Sequence, residues 1–258
     1  MMHTISSNKN TVWPYPRLLA HRGAGKAAPE NTLAALRKGA AQGYQMFEYD
    51  VQLSRDEVAV LIHDYSLKRT AQVEGNVSDK SLAELLHYDF GAWHSAPYIG
   101  EPILTLAGVA NFSIPQQLHS NIEIKAAPGL EALTGARVAQ QAQQLWRRAT
   151  LPPVLSSFSL TALQAVAQAA PELPRALLIE QAQPIADIVA QLQRLGCVGL
   201  HIAHQLFSPD LLAACQQAGV YICLWTVNDA DAIRAFLAQG VEAVVTDSVQ
   251  YSPDSLLA

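Results

Sequence analysis

The sequence predicts an α/β protein built as a (β/α)8 barrel of the TIM type. A β-hairpin extends its second strand, and a small insertion lies over the C-terminal mouth. Three observations lead there. Strand-like apolar runs alternate with helical patterns along the chain, the rhythm of parallel strands joined by crossover helices. Nine such runs occur, and one follows its predecessor too closely to be a barrel strand. The length of 258 residues suits one barrel, which needs about 250. Residues 1–258 are therefore read as a single domain with an insertion at approximately 65–104.

Strand one is "RLLAHRG" (17–23), and "ENTLAALRKGAAQG" is the helix after it. Strand two is "YQMFEYDVQL" (44–53). Only "SRDE" separates it from "VAVLIHD" (58–64), a connection that joins antiparallel strands and leaves no room for a crossover helix. With the turn centred near Arg55–Asp56, Glu48 is expected opposite His63. Residues 65–104 are rich in turn residues and aromatics, and a helix is expected to begin near Thr105. The remaining strands are "SNIEIK" (120–125), "PVLSSF" (153–158), "RALLI" (175–179), "VGLHI" (198–202), "VYICLWTV" (220–227) and "VEAVVTD" (241–247). Asn31, Ser159, Ser208 and Asp229 stand where helix N-caps belong, and Gly43, Gly196, Gly219 and Gly240 where helices stop.

Composition excludes several classes. Half the residues are apolar, ample for a core, and the net charge of -5 argues against a nucleic-acid binder held by a basic face. No apolar run approaches the ~20 residues of a membrane span, so no stable membrane association is expected. The stretch "MMHTISSNKNTVWPYPR" has no apolar leader core, and the three cysteines form no C-x-x-C motif. A cytoplasmic protein with reduced, buried thiols is expected. The oligomeric state stays open, a homodimer included.

Active-site residues of a parallel barrel come from the C-terminal strand ends. There the chain places His21 and Arg22, Glu48 and Asp50, His63 and Asp64, Glu123 and Lys125, Ser156 to Phe158, Trp225 and Asn228, and Thr246 and Asp247. Residues i and i+2 share a strand face, so Glu48 projects with Asp50 and Glu123 with Lys125. Three inward carboxylates repel unless a cation neutralises them, and hard oxygen ligands suit Mg2+ or Ca2+. Arg22 and Lys125 are phosphate-binding types, and His21 and His63 suit acid–base work near neutral pH. Taken singly, each has a plain structural explanation: a core histidine, a salt bridge across the barrel, a core aromatic. Convergence on one mouth favours chemistry, and phosphoryl-ester cleavage fits the set. His3, His87, His94, His119, His201 and His204 lie outside it, with His94 and His201 the least settled.

In "LLAHRGAGKAAPENTLAAL", "FEYDVQLSRDEVAVLIHDYSLKRT", "IEIK", "SSF", "LWTVN" and "VVTD", in that order, the chain resembles glycerophosphodiester phosphodiesterases of the compact cytosolic bacterial type. The resemblance runs from about Leu18 to Asp247. It implies a TIM-type barrel, His21 and His63 as the acid/base pair, and Glu48, Asp50 and Glu123 as holders of a divalent cation. It further implies Arg22 and Lys125 on the phosphate, Glu30 as a supporting acid near Arg22 or the metal, and Phe158 and Trp225 along the glycerol. The implied substrate is a small glycerophosphodiester, cleaved through a cyclic phosphate. Glu57 stands where glycine is usual in that family, Tyr49 where an aliphatic is commoner, and "ILTLAG" replaces a Pro-Thr-Leu run that is followed by an acid. A lysophospholipase D with the same site is the alternative, although "DFGAWHSAPYIGEP" is short and polar for a long acyl chain. A non-catalytic phosphodiester-binding barrel would lack a histidine or a ligand, and every position here is filled.

Overall fold

A computed structural model describes residues 13–258. His3 and the rest of residues 1–12 lie outside the described residues. The strands, in chain order, are β1 (Leu18–Ala20), β2 (Met46–Leu53), β3 (Ala59–Leu61), β4 (His119–Ile124), β5 (Val154–Ser157), β6 (Arg175–Ile179), β7 (Gly199–Ala203), β8 (Tyr221–Trp225) and β9 (Ala243–Thr246). The sheet runs β1-β9-β8-β7-β6-β5-β4-β2-β3, and a further β1–β2 pairing closes it. All pairs are parallel except β2–β3, so eight strands form the barrel and β3 is the hairpin's return arm.

Helices α1 (Leu33–Ala41), α4 (Leu106–Ser113), α5 (Glu131–Trp146), α6 (Leu160–Ala169), α7 (Ile185–Leu195), α8 (Pro209–Ala218) and α9 (Ala230–Ala238) surround the barrel, and α10 (Pro253–Leu257) ends the chain. The insertion carries the short helices α2 (Lys68–Ala71) and α3 (Leu82–Leu85). Side-chain alternation on the strands separates two cores. Phe47, Tyr49, Val51, Ile122 and Ile124 pack outward under the helices. Leu19, Met46, Val154, Ala176, Tyr221 and Cys223 pack together inside, and Trp13 and Tyr15 of the entering chain plug that end. The Tyr15 hydroxyl donates to the Pro152 carbonyl at 2.9 Å. All three cysteines are buried and free. Among the described residues no helix is long and apolar enough to cross a membrane.

Local chemistry explains most boundaries. Ser159, Ser208 and Asp229 accept from the third backbone N–H of the helices they start, and Thr105 does the same for α4. Gly196 and Gly219 end α7 and α8 in the left-handed conformation. Asn31 departs from expectation. Thr32 caps α1, its Oγ1 accepting from the Ala35 N–H at 3.2 Å, and Asn31 at φ 60° turns its amide onto the strand-two acid.

The hairpin register also differs by one residue. Val51 pairs with Leu61 and Leu53 with Ala59, which centres the turn on Asp56. Glu57, at φ 60°, lets the five-residue loop close through the Ser54 N–H and the Val58 carbonyl, and its backbone explains why glycine is favoured at this turn. In this register the ladder would set His63 against Tyr49, not Glu48. The ladder stops at Leu61, however, and the chain leaves it. The buried Gln52 amide donates to the carbonyls of Ile62, His63 and Asp64 at 3.1, 3.1 and 2.7 Å and holds the departing turn.

Leu67, Val77, Leu85, Phe90 and Ile103 of the insertion form a small core with Val60 and Ile62 of the hairpin. The insertion stands at the rim on the β1–β2 side. The Tyr98 hydroxyl meets the Ala27 carbonyl at 3.4 Å, and Glu101 accepts from the Ala34 N–H at 2.9 Å.

Candidate active site

Strand register assembles the acids. Pairing of β2 with β4 sets Glu48 beside Asn121 and Asp50 beside Glu123, all on the inward face. Glu48, Asp50 and Glu123 each offer an oxygen within 4.8 Å of the others, and all three are buried. Burial, and then the Asp50 charge, push the Glu48 carboxyl up to about 7 against the pull of His21. The same two causes lift Glu123 to about 8 despite Lys125. For Asp50 burial also pushes upward, but Arg22, Lys125, His63 and the Asn31 amide outweigh it and hold the group below its ordinary value. Asn31 binds Asp50 twice, donating to Oδ2 at 2.8 Å and accepting from its N–H at 3.1 Å.

The turn after β1 delivers the first histidine. His21 Nδ1 lies 2.6 Å from Asp247 Oδ1, and its Nε2 lies 3.8 Å from Glu48 Oε2. Asp247, at the end of β9, is fixed by the Asn228 amide at 3.2 Å and by its own N–H on Asn228 Oδ1 at 2.7 Å. Burial lowers the His21 pKa, yet Asp247 and Glu48 more than offset it and the net displacement is upward. Arg22 adopts φ 50°, its N–H donating to Glu48 at 3.0 Å and its Nη1 to Glu30 at 3.0 Å.

Gly25, at φ 55°, makes this turn possible. A Cβ there would lie 2.2 Å from the Asp247 carbonyl oxygen. Gly25→Ala is expected to cost about 3 kcal/mol, from backbone strain plus overpacking, and to displace the carboxylate that orients His21. Urea unfolding measures the first effect and kcat the second.

His63 arrives from the turn that Gln52 holds. Its Nδ1 sits 2.7 Å from Asp64 Oδ1. The insertion's Arg69 holds Asp64 in turn, with Nε on Oδ2 at 2.7 Å, and lowers that carboxyl to about 2. Lys125 contacts Glu123, lies 3.7 Å from Asp50 and stands 5.1 Å over the Phe158 ring. Phe158 and Trp225 meet edge to face at 5.6 Å.

These groups converge. A cavity of about 260 Å³ is lined by His21, Arg22, Glu48, His63, Glu123, Lys125, Phe158 and Trp225, with Glu180 and His201. Asp50 lies behind Arg22, 3.3 Å from its Nε, and Glu30 lies beyond that guanidinium; neither lines the cavity. No residue of 65–104 lines it; Arg69 reaches Asp64 and Glu30, which stand outside the lining. His201 is buried on the wall against the Tyr221 hydroxyl, and burial takes its pKa down to about 3, so the ring is neutral. His94 binds the Lys26 carbonyl at 3.1 Å, outside the cavity.

Asp247 and Asn228 are visible at strand ends in the sequence, but their contacts with His21 and with each other are not, and Arg69 and Glu180 stand outside its candidate set. Asn31 is a partner of Asp50 rather than the cap its position suggests. The signal for Asp247 was present, because it closes the strand beside β1. Arg69 gave none, because only the tertiary fold of the insertion brings it back.

The fold and this mouth define an enzyme of the (β/α)8 class. The chain belongs to the glycerophosphoryl diester phosphodiesterase family, whose model matches residues 21–251. It is 30% identical over 244 residues to the glycerophosphodiester phosphodiesterase of Caldanaerobacter subterraneus subsp. tengcongensis, covering 93% of this chain and 96% of that one. Among solved structures it is similar to an Oleispira antarctica phosphodiesterase in complex with the product sn-glycerol 3-phosphate. That match has 32% identity and a TM-score of 0.84, over 92% of this chain and 94% of that one. A glycerophosphodiester phosphodiesterase of Agrobacterium tumefaciens aligns at 27% identity with a TM-score of 0.74, over 93% and 98%.

Proposed function

We propose that this enzyme hydrolyses small glycerophosphodiesters, glycerophosphocholine and glycerophosphoethanolamine among them, to sn-glycerol 3-phosphate and an alcohol. One observation carries the reading: two histidines, each anchored through Nδ1 to a carboxylate, face one cavity lined also by two cations and by two acids of a buried cluster of three. The product bound to the Oleispira relative agrees with it.

The residues fit a divalent cation. Glu48 Oε1 is buried without a hydrogen-bond partner, and the raised pKa values of Glu48 and Glu123 record charge waiting for compensation. Glu48, Asp50 and Glu123 would hold Mg2+ or Ca2+, both of which take oxygen ligands. Once bound, that ion would offset negative charge gathering on the phosphate.

The chain's own groups do the rest. Arg22 and Lys125 pair with phosphate oxygens, and the faces of Phe158 and Trp225 pack against the glycerol carbons. One histidine takes the proton of the glycerol 2-hydroxyl as it attacks phosphorus, and the other gives a proton to the departing alcohol. The roles then reverse as water opens the cyclic phosphate. With Nδ1 committed to Asp247 or Asp64, each ring exchanges its proton at Nε2. Glu30 acts through Arg22, steadying the guanidinium.

The test is a panel of glycerophosphodiesters and lysophosphatidylcholine, assayed with Mg2+, with Ca2+ and with EDTA. Release of sn-glycerol 3-phosphate from the water-soluble diesters is expected, stopped by EDTA and restored by a cation. A full rate after chelation would overturn the carboxylate–metal assignment. Faster choline release from the lysolipid would make the enzyme a lysophospholipase D.

A further inference from the structure

Arg69 is the one insertion residue whose side chain reaches the groups behind both His63 and Arg22. Its guanidinium makes two forks. Nε and Nη2 donate to the two oxygens of Asp64 at 2.7 and 3.0 Å, and Nη1 and Nη2 donate to the two oxygens of Glu30 at 2.8 and 2.7 Å. Four of the five N–H groups of a guanidinium are thereby used. Each carboxylate then passes the constraint on. Asp64 Oδ1 also meets His63 Nδ1 at 2.7 Å, and Glu30 Oε1 also accepts from Arg22 Nη1 at 3.0 Å. The Trp93 ring, 5.8 Å from Arg69 Cζ, covers the cation from within the insertion. The result is one unbroken chain, Arg22–Glu30–Arg69–Asp64–His63.

We propose that Arg69 is a positioning residue for the phosphodiesterase reaction, fixing His63 and Arg22 relative to each other so that proton transfer and phosphate binding meet the same phosphorus. The inference rests on the roles given to His63 and Arg22 above. It gives the insertion a task distinct from covering the mouth: it supplies the brace between the hairpin that carries His63 and the turn that carries Arg22. A planar double fork is needed, because each carboxylate must be held in plane to aim its second partner. Lysine, a point donor, holds position without orientation.

The experiment compares Arg69→Met, Arg69→Lys and Arg69→Ala with wild type and His63→Ala, each with saturating cation and glycerophosphocholine. Loss of about 10- to 100-fold in kcat is expected for all three Arg69 variants, with a smaller rise in KM and little change in Tm. Millimolar guanidinium chloride is expected to restore part of the Arg69→Ala rate and none of the Arg69→Lys rate. A merely structural residue would instead lower Tm and leave kcat per folded enzyme, and its response to guanidinium, unchanged. If the Met and Ala variants fail to fold, Arg69→Lys, which keeps the charge and the stem, decides alone. Arg69 variants within twofold of wild type beside an inactive His63→Ala would overturn the brace and leave the site reading standing. An active His63→Ala would overturn both.

Discussion

Replacing His21 with alanine is expected to lower kcat on glycerophosphocholine by about 10²- to 10⁴-fold and to leave the barrel folded. The size follows from what the ring does in the proposed reaction: it moves a proton at the reacting atoms, and no other imidazole stands in its place. The fold should survive because His21 sits at the half-open mouth, with about a fifth of its side chain exposed (22%), outside both cores. Asp247 keeps its two contacts to Asn228 when the ring is gone. Steady-state kinetics beside circular dichroism check the pair of outcomes. A variant that kept a tenth of the wild-type rate would remove His21 from the chemistry.

The metal-free enzyme is expected to lose stability as pH rises from 6.5 to 8, and Mg2+ or Ca2+ to restore it. Glu48 and Glu123, acids of ordinary pKa 4.5, are pushed up to about 7 and about 8. Between 4.5 and those values the folded state keeps protons that the unfolded chain has released, so stability falls as pH climbs toward them. His21, raised above 6.5, adds stability that is complete below 6.5 and lost as pH passes its folded value, which is the same direction. His201, pushed down to about 3, acts the opposite way, but only below 6.5, where the unfolded chain takes up a proton that the buried ring refuses. His201 no longer opposes them above pH 6.5, so from there to pH 8 the raised groups act alone. The loss to pH 8 should be on the order of 2 kcal/mol, or about 6 °C in Tm. Calorimetry in EDTA and in excess cation measures it. A flat Tm in EDTA would show that the two carboxyls are not desolvated as the structure has them.

Much of the barrel was legible because its signals are local. Alternating apolar runs, serine and aspartate caps and glycine stops are written within a few residues, and the four-residue gap before "VAVLIHD" permits only a hairpin. The convergence of His21, Glu48, Asp50, His63, Glu123 and Lys125 was legible as well, since barrel topology sends every strand end to one mouth. What escaped depended on details finer than topology. The hairpin register turned on Glu57 taking a left-handed conformation, which a run of polar residues does not announce. Asn31 looks like a cap until a carboxylate 19 positions away proves the stronger partner for its amide. Arg69 reads as one surface cation among several, because only the folded insertion brings Asp64 and Glu30 within its reach.

The aromatic plug of Trp13, Tyr15 and Tyr221 has a consequence for traffic. With that end packed, the barrel is a cul-de-sac, and everything that enters must leave by the same door. On the proposed route the released alcohol has to clear the entrance before water can follow it in. A bulky or tightly held alcohol would then slow the second half of the reaction without touching the first.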